Sequence, residues 1–337
     1  MTVVGPFGLS VRDQALEADV LAGLAAVEEG LIEATKSDVP FITEAAQHLV
    51  RAGGKRFRPL LVMLGAQFGD PHAPGIVPSA VVVELTHLAT LYHDDVMDEA
   101  DVRRGVPSAN ANWGNSVAVL TGDFLFSRAS HILADLGPEA VRIQAQAFER
   151  LVTGQIMETA GPSEGNDAID HYLEVIAGKT GSLIAVAGRY GAMMSGADER
   201  TVSVLTQYGE RIGVAFQLAD DVLDIASDEH ESGKTPGTDL REGIATLPVL
   251  YLRARAAEPD ATREDRELCA LLDGDLTDDA RLADALARLR VHPALEQARR
   301  ATVRYADEAR EMLAPLPDNA AKEALSALCT AVVDRAG

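Results

Sequence analysis

Aspartates 94, 95 and 98, in HDDVMDEADVRR (93–104), stand in a DDxxD spacing, and the spacing recurs at Asp220, Asp221 and Asp224 in FQLADDVLDIA (216–226). On a helix the first and last acids of such a triplet are about 40° apart around the axis and one turn apart along it. Both can therefore reach one ion from one face, while the middle acid lies on the flank. Carboxylate oxygens suit a hard divalent cation, so Mg²⁺ is expected, with Mn²⁺ able to substitute. Mg²⁺ takes one or two protein carboxylates and completes its octahedron with water and phosphate oxygens. Two such clusters are expected to form two walls of a diphosphate site. One DDxxD in an acidic chain would be an ordinary solvated helix end. Two copies, each closing a long apolar helix and each followed by basic residues, are not accounted for by solvation. A di-iron carboxylate bundle would want Glu-x-x-His pairs on facing helices, and no such set occurs.

The basic partners are spread along the chain. RAGGKRFRP (51–59) supplies Lys55, Arg56 and Arg58 beside a Gly-Gly pair that lets backbone amides approach an anion. Arg103 and Arg104 follow the first cluster, Lys179 and Thr180 lie between two glycines, and Lys234 follows the second cluster. Any one of these alone reads as a surface basic patch; with paired metal clusters they read as counter-charges for anionic substrates. His87 lies two turns before Asp94 on nearly the same helical face, within reach of a phosphate oxygen, and Gln217 lies three residues before Asp220. Phe216 and Tyr92 read as packing residues, and Asp123 as a buried structural acid.

These residues must be held by helices. Stretches 14–35, 78–100, 116–136, 140–159 and 200–226 repeat apolar residues at three- and four-residue steps. No alternating strand pattern bounded by turn pairs is evident. Segments 69–75, 136–139, 161–167 and 195–199 carry loop punctuation, and 229–243 is a longer loop of the kind that often serves function. No linker separates these elements, so one all-α domain spanning 1–337 is expected. The composition is 47% hydrophobic, too apolar for a disordered chain, and 52 acidic against 30 basic residues give a formal charge of −22. A field of that sign excludes nucleic acid and anionic membrane surfaces as general partners. Only two cysteines, Cys269 and Cys329, occur, and neither a signal peptide nor a membrane-spanning run is read. The expected setting is cytoplasmic, with at most transient membrane contact for product release.

GGKRFRP, ELTHLATLYHDDVMDEADVRRG, GKTGSL, FQLADDVLD and SGKTPGTDL, in that order over about 45–250, resemble the head-to-tail trans-isoprenyl diphosphate synthases. The resemblance implies an all-α isoprenoid synthase fold around a central cavity, in a homodimer. It implies that an allylic diphosphate is held through Mg²⁺ by Asp94, Asp98 and Asp220, with Asp95, Asp221 and Asp224 in support. Arg103, Lys179 and Lys234 would contact that diphosphate; Lys55, Arg58, His87 and Arg104 would bind isopentenyl diphosphate; Thr180 and Gln217 would line the place where the allylic cation forms.

Product length is expected to follow from Ala89 and Thr90, five and four residues before Asp94 and about 7 Å back along the helix. In the family a bulky aromatic at this level accompanies farnesyl or geranylgeranyl products. The small pair resembles the long-chain synthases, so a product longer than twenty carbons is expected, in the hexaprenyl to nonaprenyl range of quinone side chains. The alternatives are a shorter-chain synthase, a class I terpene cyclase, or a non-catalytic partner subunit. A cyclase has no need of the GGKRFRP and His87 features, and partner subunits generally lose aspartates that are all present here.

Overall fold

The computed structural model describes residues 2–4, 9–11, 13–227 and 236–335. It is all-α as expected, and two compact units can be distinguished. The first comprises Met1–Glu149, Ser182–Glu210 and Met312–Leu328, and the second Arg150–Gly181, Arg211–Glu311 and Cys329–Gly337.

In the first unit, helices α1 (Gln14–Ala34), α2 (Pro40–Arg51), α3 (Phe57–Ala66), α4 (Ile76–Met97), α6 (Asn115–Leu136) and α9 (Ser182–Met194) build the core around α4. That helix is apolar on nearly every side, with Ile76, Ala80, Val81, Val82, Val83, Leu85, Leu88, Ala89 and Tyr92 all buried. A helix buried all round must be central. It packs most extensively on α6, while α3 packs on α9. The end that carries the first aspartate cluster is pinned by Tyr92, fully buried, whose hydroxyl donates to the Ala45 carbonyl at 2.5 Å and accepts from the Leu49 amide at 3.3 Å. Tyr92 is thus the packing residue that its sequence suggests, and its polar tip fixes α4 against α2.

Four very short strands depart from the strand-free expectation. Thr2–Val4 (β1) pairs with Leu9–Val11 (β2), and Val102–Arg103 (β3) with Val106–Pro107 (β4), both antiparallel. Two or three residues are too few to show an alternating pattern. The second hairpin matters for the site. Its two-residue turn has Arg104 at φ 55° and Gly105 at φ 77°, both in the left-handed region, as a type I′ turn requires. Placing an arginine there costs about 1–2 kcal/mol, and Arg104 recovers it through contacts described below. A five-residue helix, α5 (Ala109–Trp113), follows.

The second unit is also helical. It contains α8 (Ala168–Ile176), a π-helical turn (Ala177–Gly181), α11 (Thr238–Arg241), α12 (Leu247–Ala257), α13 (Arg263–Leu272) and α14 (Asp279–Val291). Helices α7 (Pro138–Ala160), α10 (Glu199–Ala226), α15 (Pro293–Met312) and α16 (Ala320–Asp334) contribute residues to both units.

Helix α13 opens with a capping box: the Thr262 side chain accepts from the Asp265 amide at 3.1 Å, and the Asp265 carboxylate accepts from the Thr262 amide at 2.8 Å. The same carboxylate lies 3.0 Å from His292 Nε2. These bonds, that to His292 foremost, draw Asp265 down from the ordinary 3.8 to about 2. A carboxylate with a depressed folded-state value contributes stability that is present above its unfolded value and is lost as pH falls towards the folded one. Asp265→Asn is therefore expected to cost about 1 kcal/mol at neutral pH. Its denaturant midpoint should also fall less steeply than that of the parent chain between pH 4 and 2. Denaturant melts across that window check both, and parallel pH profiles would remove Asp265 from the account.

Candidate active site

The first cluster closes α4. Asp94 is half-buried, Asp98 is exposed, and Asp95 has no accessible surface. Asp94 and Asp98 are open to solvent, while Asp95, which the spacing places on the flank, is built into the protein. The Asp95 Oδ1 accepts from Arg103 Nε at 2.5 Å, and Arg103 also lies 3.8 Å from Asp98. Burial raises the Asp95 carboxyl above the ordinary range, against the pull of Arg103. Its Oδ2 is buried with no hydrogen-bond partner among the described residues. A buried carboxylate oxygen without a donor calls for a water molecule or a cation, and this fits a divalent ion held beside Asp94 and Asp98.

The I′ turn sends the two consecutive arginines to different tasks. Arg103 turns to the aspartates. Arg104 donates to the carbonyls of Leu49, at 3.1 Å, and Gly53, and lies 3.9 Å from Glu84. A Cβ on Gly54 would come within 2.9 Å of the Arg104 guanidinium carbon, so the second glycine of RAGGKRFRP is needed where Arg104 crosses the backbone.

The basic residues of that segment also divide. Arg56 is buried and satisfied: it pairs with Glu28, donates to Glu84 at 2.9 Å and to the Val50 carbonyl at 3.1 Å. Burial pushes its pKa down, but those carboxylates outweigh it and the net direction is up. Arg56 is an anchor at the start of α3. Arg58 is different. Burial, with Arg104 adding to it and Glu84 opposing, lowers it to about 10, and its buried Nε has no partner among the described residues. A buried cationic donor without an acceptor suits an anion. Lys55, beside it, is exposed. His87 is held well below the ordinary range, by burial first and then by Arg58 and Arg104. It is neutral at physiological pH and can donate through one ring nitrogen. Glu84, 2% exposed and three residues before His87, supplies the balancing negative charge.

The second cluster closes α10 and repeats the division of labour. Asp220 and Asp224 are half-buried and Asp221 is buried. Asp220 pairs with Arg335 at 2.6 Å, and Arg335 also lies over the Phe216 ring at 5.0 Å. Asp224 accepts from the backbone amides of Thr238 and Asp239, both at 3.2 Å, and so caps α11. Burial raises the Asp221 carboxyl to about 7, against hydrogen bonds from Tyr172 and from Gln217, the latter at 2.9 Å. The other end of the Gln217 amide accepts from the Thr180 hydroxyl at 3.0 Å.

Lys179 and Thr180 sit in the π-helical turn. Such turns inside α-helices are frequent at functional sites, and no feature of the local sequence marks this one except its glycines. Gly154 faces it so closely that a Cβ there would lie 2.8 Å from the Lys179 amide nitrogen. Lys179 Nζ pairs with Glu158 at 2.6 Å. Lys234 lies outside the described residues.

Ala89 has no accessible surface, and its carbonyl is 3.0 Å from where a Cβ on Gly122 of α6 would stand. Thr90 is half-buried, with its hydroxyl donated back to the His87 carbonyl at 2.8 Å. Asp123 corrects the reading of a buried acid: its side chain is 62% exposed, 3.5 Å from His93 Nε2, because it falls on the outer face of α6. The sequence reading did not single out Tyr172, Glu28, Glu84, Glu158 or Arg335. Only Glu84, a lone acid within an apolar helix, carries a visible signal.

An all-α chain with DDxxD at the ends of two buried helices, and a cluster of buried cations behind the first, defines a prenyl diphosphate synthase architecture. The Polyprenyl synthetase family profile matches residues 39–289, and the chain belongs to that family. It is 50% identical over 331 residues to a nonaprenyl diphosphate synthase of Mycobacterium tuberculosis, covering 98% of this chain and 97% of the relative. A geranylgeranyl pyrophosphate synthase from Corynebacterium glutamicum, solved with calcium and isoprenyl diphosphate, superposes with a TM-score of 0.86 at 45% identity, covering 97% of this chain and 99% of that one. A decaprenyl diphosphate synthase from Rhodobacter capsulatus gives 0.86 at 36% identity, covering 96% and 99%.

Proposed function

We propose that the protein is a long-chain trans-prenyltransferase that condenses isopentenyl diphosphate head-to-tail with an allylic diphosphate, using Mg²⁺. The observation that carries this reading is the shared plan of the two clusters. In each, two acids are open to solvent while the middle acid is buried and hydrogen-bonded to a dedicated partner. Mg²⁺ takes one or two protein carboxylates and draws its remaining ligands from water and diphosphate, which open carboxylates at two helix ends allow. Asp94, Asp98 and Asp220 are the proposed ligands. The ion, when bound, neutralises charge that develops on the departing diphosphate.

Arg103, Lys179 and Lys234 serve the same leaving group from the protein side, as positive charges that offset the negative charge developing on it. Lys55, Arg58, Arg104 and neutral His87 hold the isopentenyl diphosphate. Thr180 and Gln217 face the allylic carbon as its C–O bond breaks. The isopentenyl double bond then attacks that carbon, and a proton leaves to the departing diphosphate. No side-chain nucleophile takes part. The small residues Ala89 and Thr90, and the half-identical nonaprenyl relative, support a product longer than twenty carbons.

We further infer a homodimer located in the cytoplasm. Leu120 and Val119, 65% and 39% exposed on α6, are the apolar surface that supports self-association. Among the described residues no helix is long and apolar enough to cross a membrane.

The test is incubation of the purified protein with labelled isopentenyl diphosphate, Mg²⁺ and allylic primers of increasing length, with mass analysis of the products and light scattering of the same sample. Long polyprenyl diphosphates from a dimer are expected. A ladder ending at fifteen or twenty carbons would overturn the length, and no consumption of isopentenyl diphosphate would overturn the activity.

A further inference from the structure

We propose that Tyr172 is a positioning residue for the reaction: by donating to Asp221 it completes a one-way hydrogen-bond chain that leaves the Thr180 hydroxyl with lone pairs alone to offer the reacting carbon. The inference rests on the prenyltransferase reading and names a residue that reading does not use.

The direction of the chain follows from what each group can do. A carboxylate oxygen that receives an O–H or N–H acts as the acceptor in that bond. Asp221 takes one hydrogen bond on each oxygen, from the Tyr172 hydroxyl on Oδ2 and from Gln217 Nε2 on Oδ1. With its NH₂ committed to Asp221, Gln217 turns its carbonyl oxygen to Thr180. Thr180 must then donate its single proton to Gln217. What remains on its oxygen is acceptor capacity, suited to a carbon that becomes positive as the allylic C–O bond breaks. A Thr180 hydroxyl free to rotate would present its proton to that carbon part of the time and lose this effect.

The geometry needs a tyrosine. Tyr172 and Thr180 belong to one continuous helical stretch and are eight residues, roughly 12 Å, apart along it. Their partners Gln217 and Asp221 are one turn, roughly 6 Å, apart on α10. A short side chain at 172 would fall short of Asp221, whereas a phenol spans the difference. Burial and the neighbouring Asp221 keep the phenol protonated, so it is a donor throughout. Asp221 itself is 4% exposed, so water has little access to the carboxylate at which the two donors meet.

The test compares Tyr172→Phe with wild type in the full chain, and again in a Thr180→Val background. Phe keeps the ring and removes only the donor. In the wild-type background kcat is expected to fall about tenfold or more, with KM for both diphosphates changed less than threefold. Where Thr180 is already Val, the same substitution is expected to change kcat less than threefold, because the group at the end of the chain is gone. Stabilisation against heat by Mg²⁺ with inorganic diphosphate should match wild type in both backgrounds. Equal losses in the two backgrounds would overturn the proposal, since Tyr172 would then act independently of Thr180. So would an undiminished kcat in Tyr172→Phe, or a smaller Mg²⁺–diphosphate stabilisation, which would assign Tyr172 to support of the metal ligands. If wild type itself consumed no isopentenyl diphosphate, it would be the underlying activity that failed.

Discussion

Asp220→Ala is expected to reduce prenyl transfer by about 10³-fold or more, the scale of loss when a group stabilising developing charge is removed, while leaving the fold intact. The two effects separate because of where Asp220 sits. Among the described residues its partner is Arg335, in a pair whose side chains are 28% and 20% exposed. A partly exposed pair of this kind contributes on the order of 1 kcal/mol, so the melting temperature should move by a few degrees at most. Asp94→Ala is expected to behave alike, since Asp94 is half-buried at the end of α4 and the helix is pinned by Tyr92. Asp95 and Asp221 make the informative contrast. Both are buried and hydrogen-bonded, and their replacement by alanine should damage stability as well as turnover. Initial rates with labelled isopentenyl diphosphate, alongside thermal melts, check this. Full activity in Asp94→Ala or Asp220→Ala would sink the proposed metal sites.

The helical fold was legible because its signal is local and repeated. The apolar steps in 78–100 and 200–226 locate α4 and α10 within about three residues, and the outer two acids of each triplet, four residues apart, must share one face. The separate tasks of Arg56 and Arg58 were not legible. Both are arginines of one short segment, and what separates them is Glu28 and Glu84, each 28 residues from Arg56 and on other helices. Arg103 and Arg104 were readable as a basic pair, but their divergence depends on a left-handed arginine in a two-residue turn, which composition does not announce. Tyr172 was missed for a similar reason. Its meaning lies in a hydrogen bond to Asp221, 49 positions away, and a lone tyrosine on an amphipathic helix looks like packing. Asp123 failed in the opposite direction, since its apolar neighbours suggested burial at a position that the helix turns outward.

Product length should respond to substitution at Thr90 and Ala89, and the structure changes which of the two is the better probe. Ala89→Phe places an aromatic ring five residues before Asp94, the level at which closure of the cavity is expected to shorten the product. Ala89, however, has no accessible surface, and its backbone lies close against Gly122. A ring at this point must wedge apart α4 and α6, an overpacking cost of about 1–3 kcal/mol. Thr90 is half-buried, and its hydroxyl is satisfied within its own helix, so Thr90→Phe leaves no buried partner unpaired and should cost less. Both variants are expected to remain active and to shift the product ladder towards fifteen to twenty carbons, with Thr90→Phe keeping the higher melting temperature. A shift in Thr90→Phe alone would mean that Ala89 is small only so that α4 and α6 can meet. If neither ladder moved, the chain would grow along another path, and the small residues before Asp94 would have no part in setting its length.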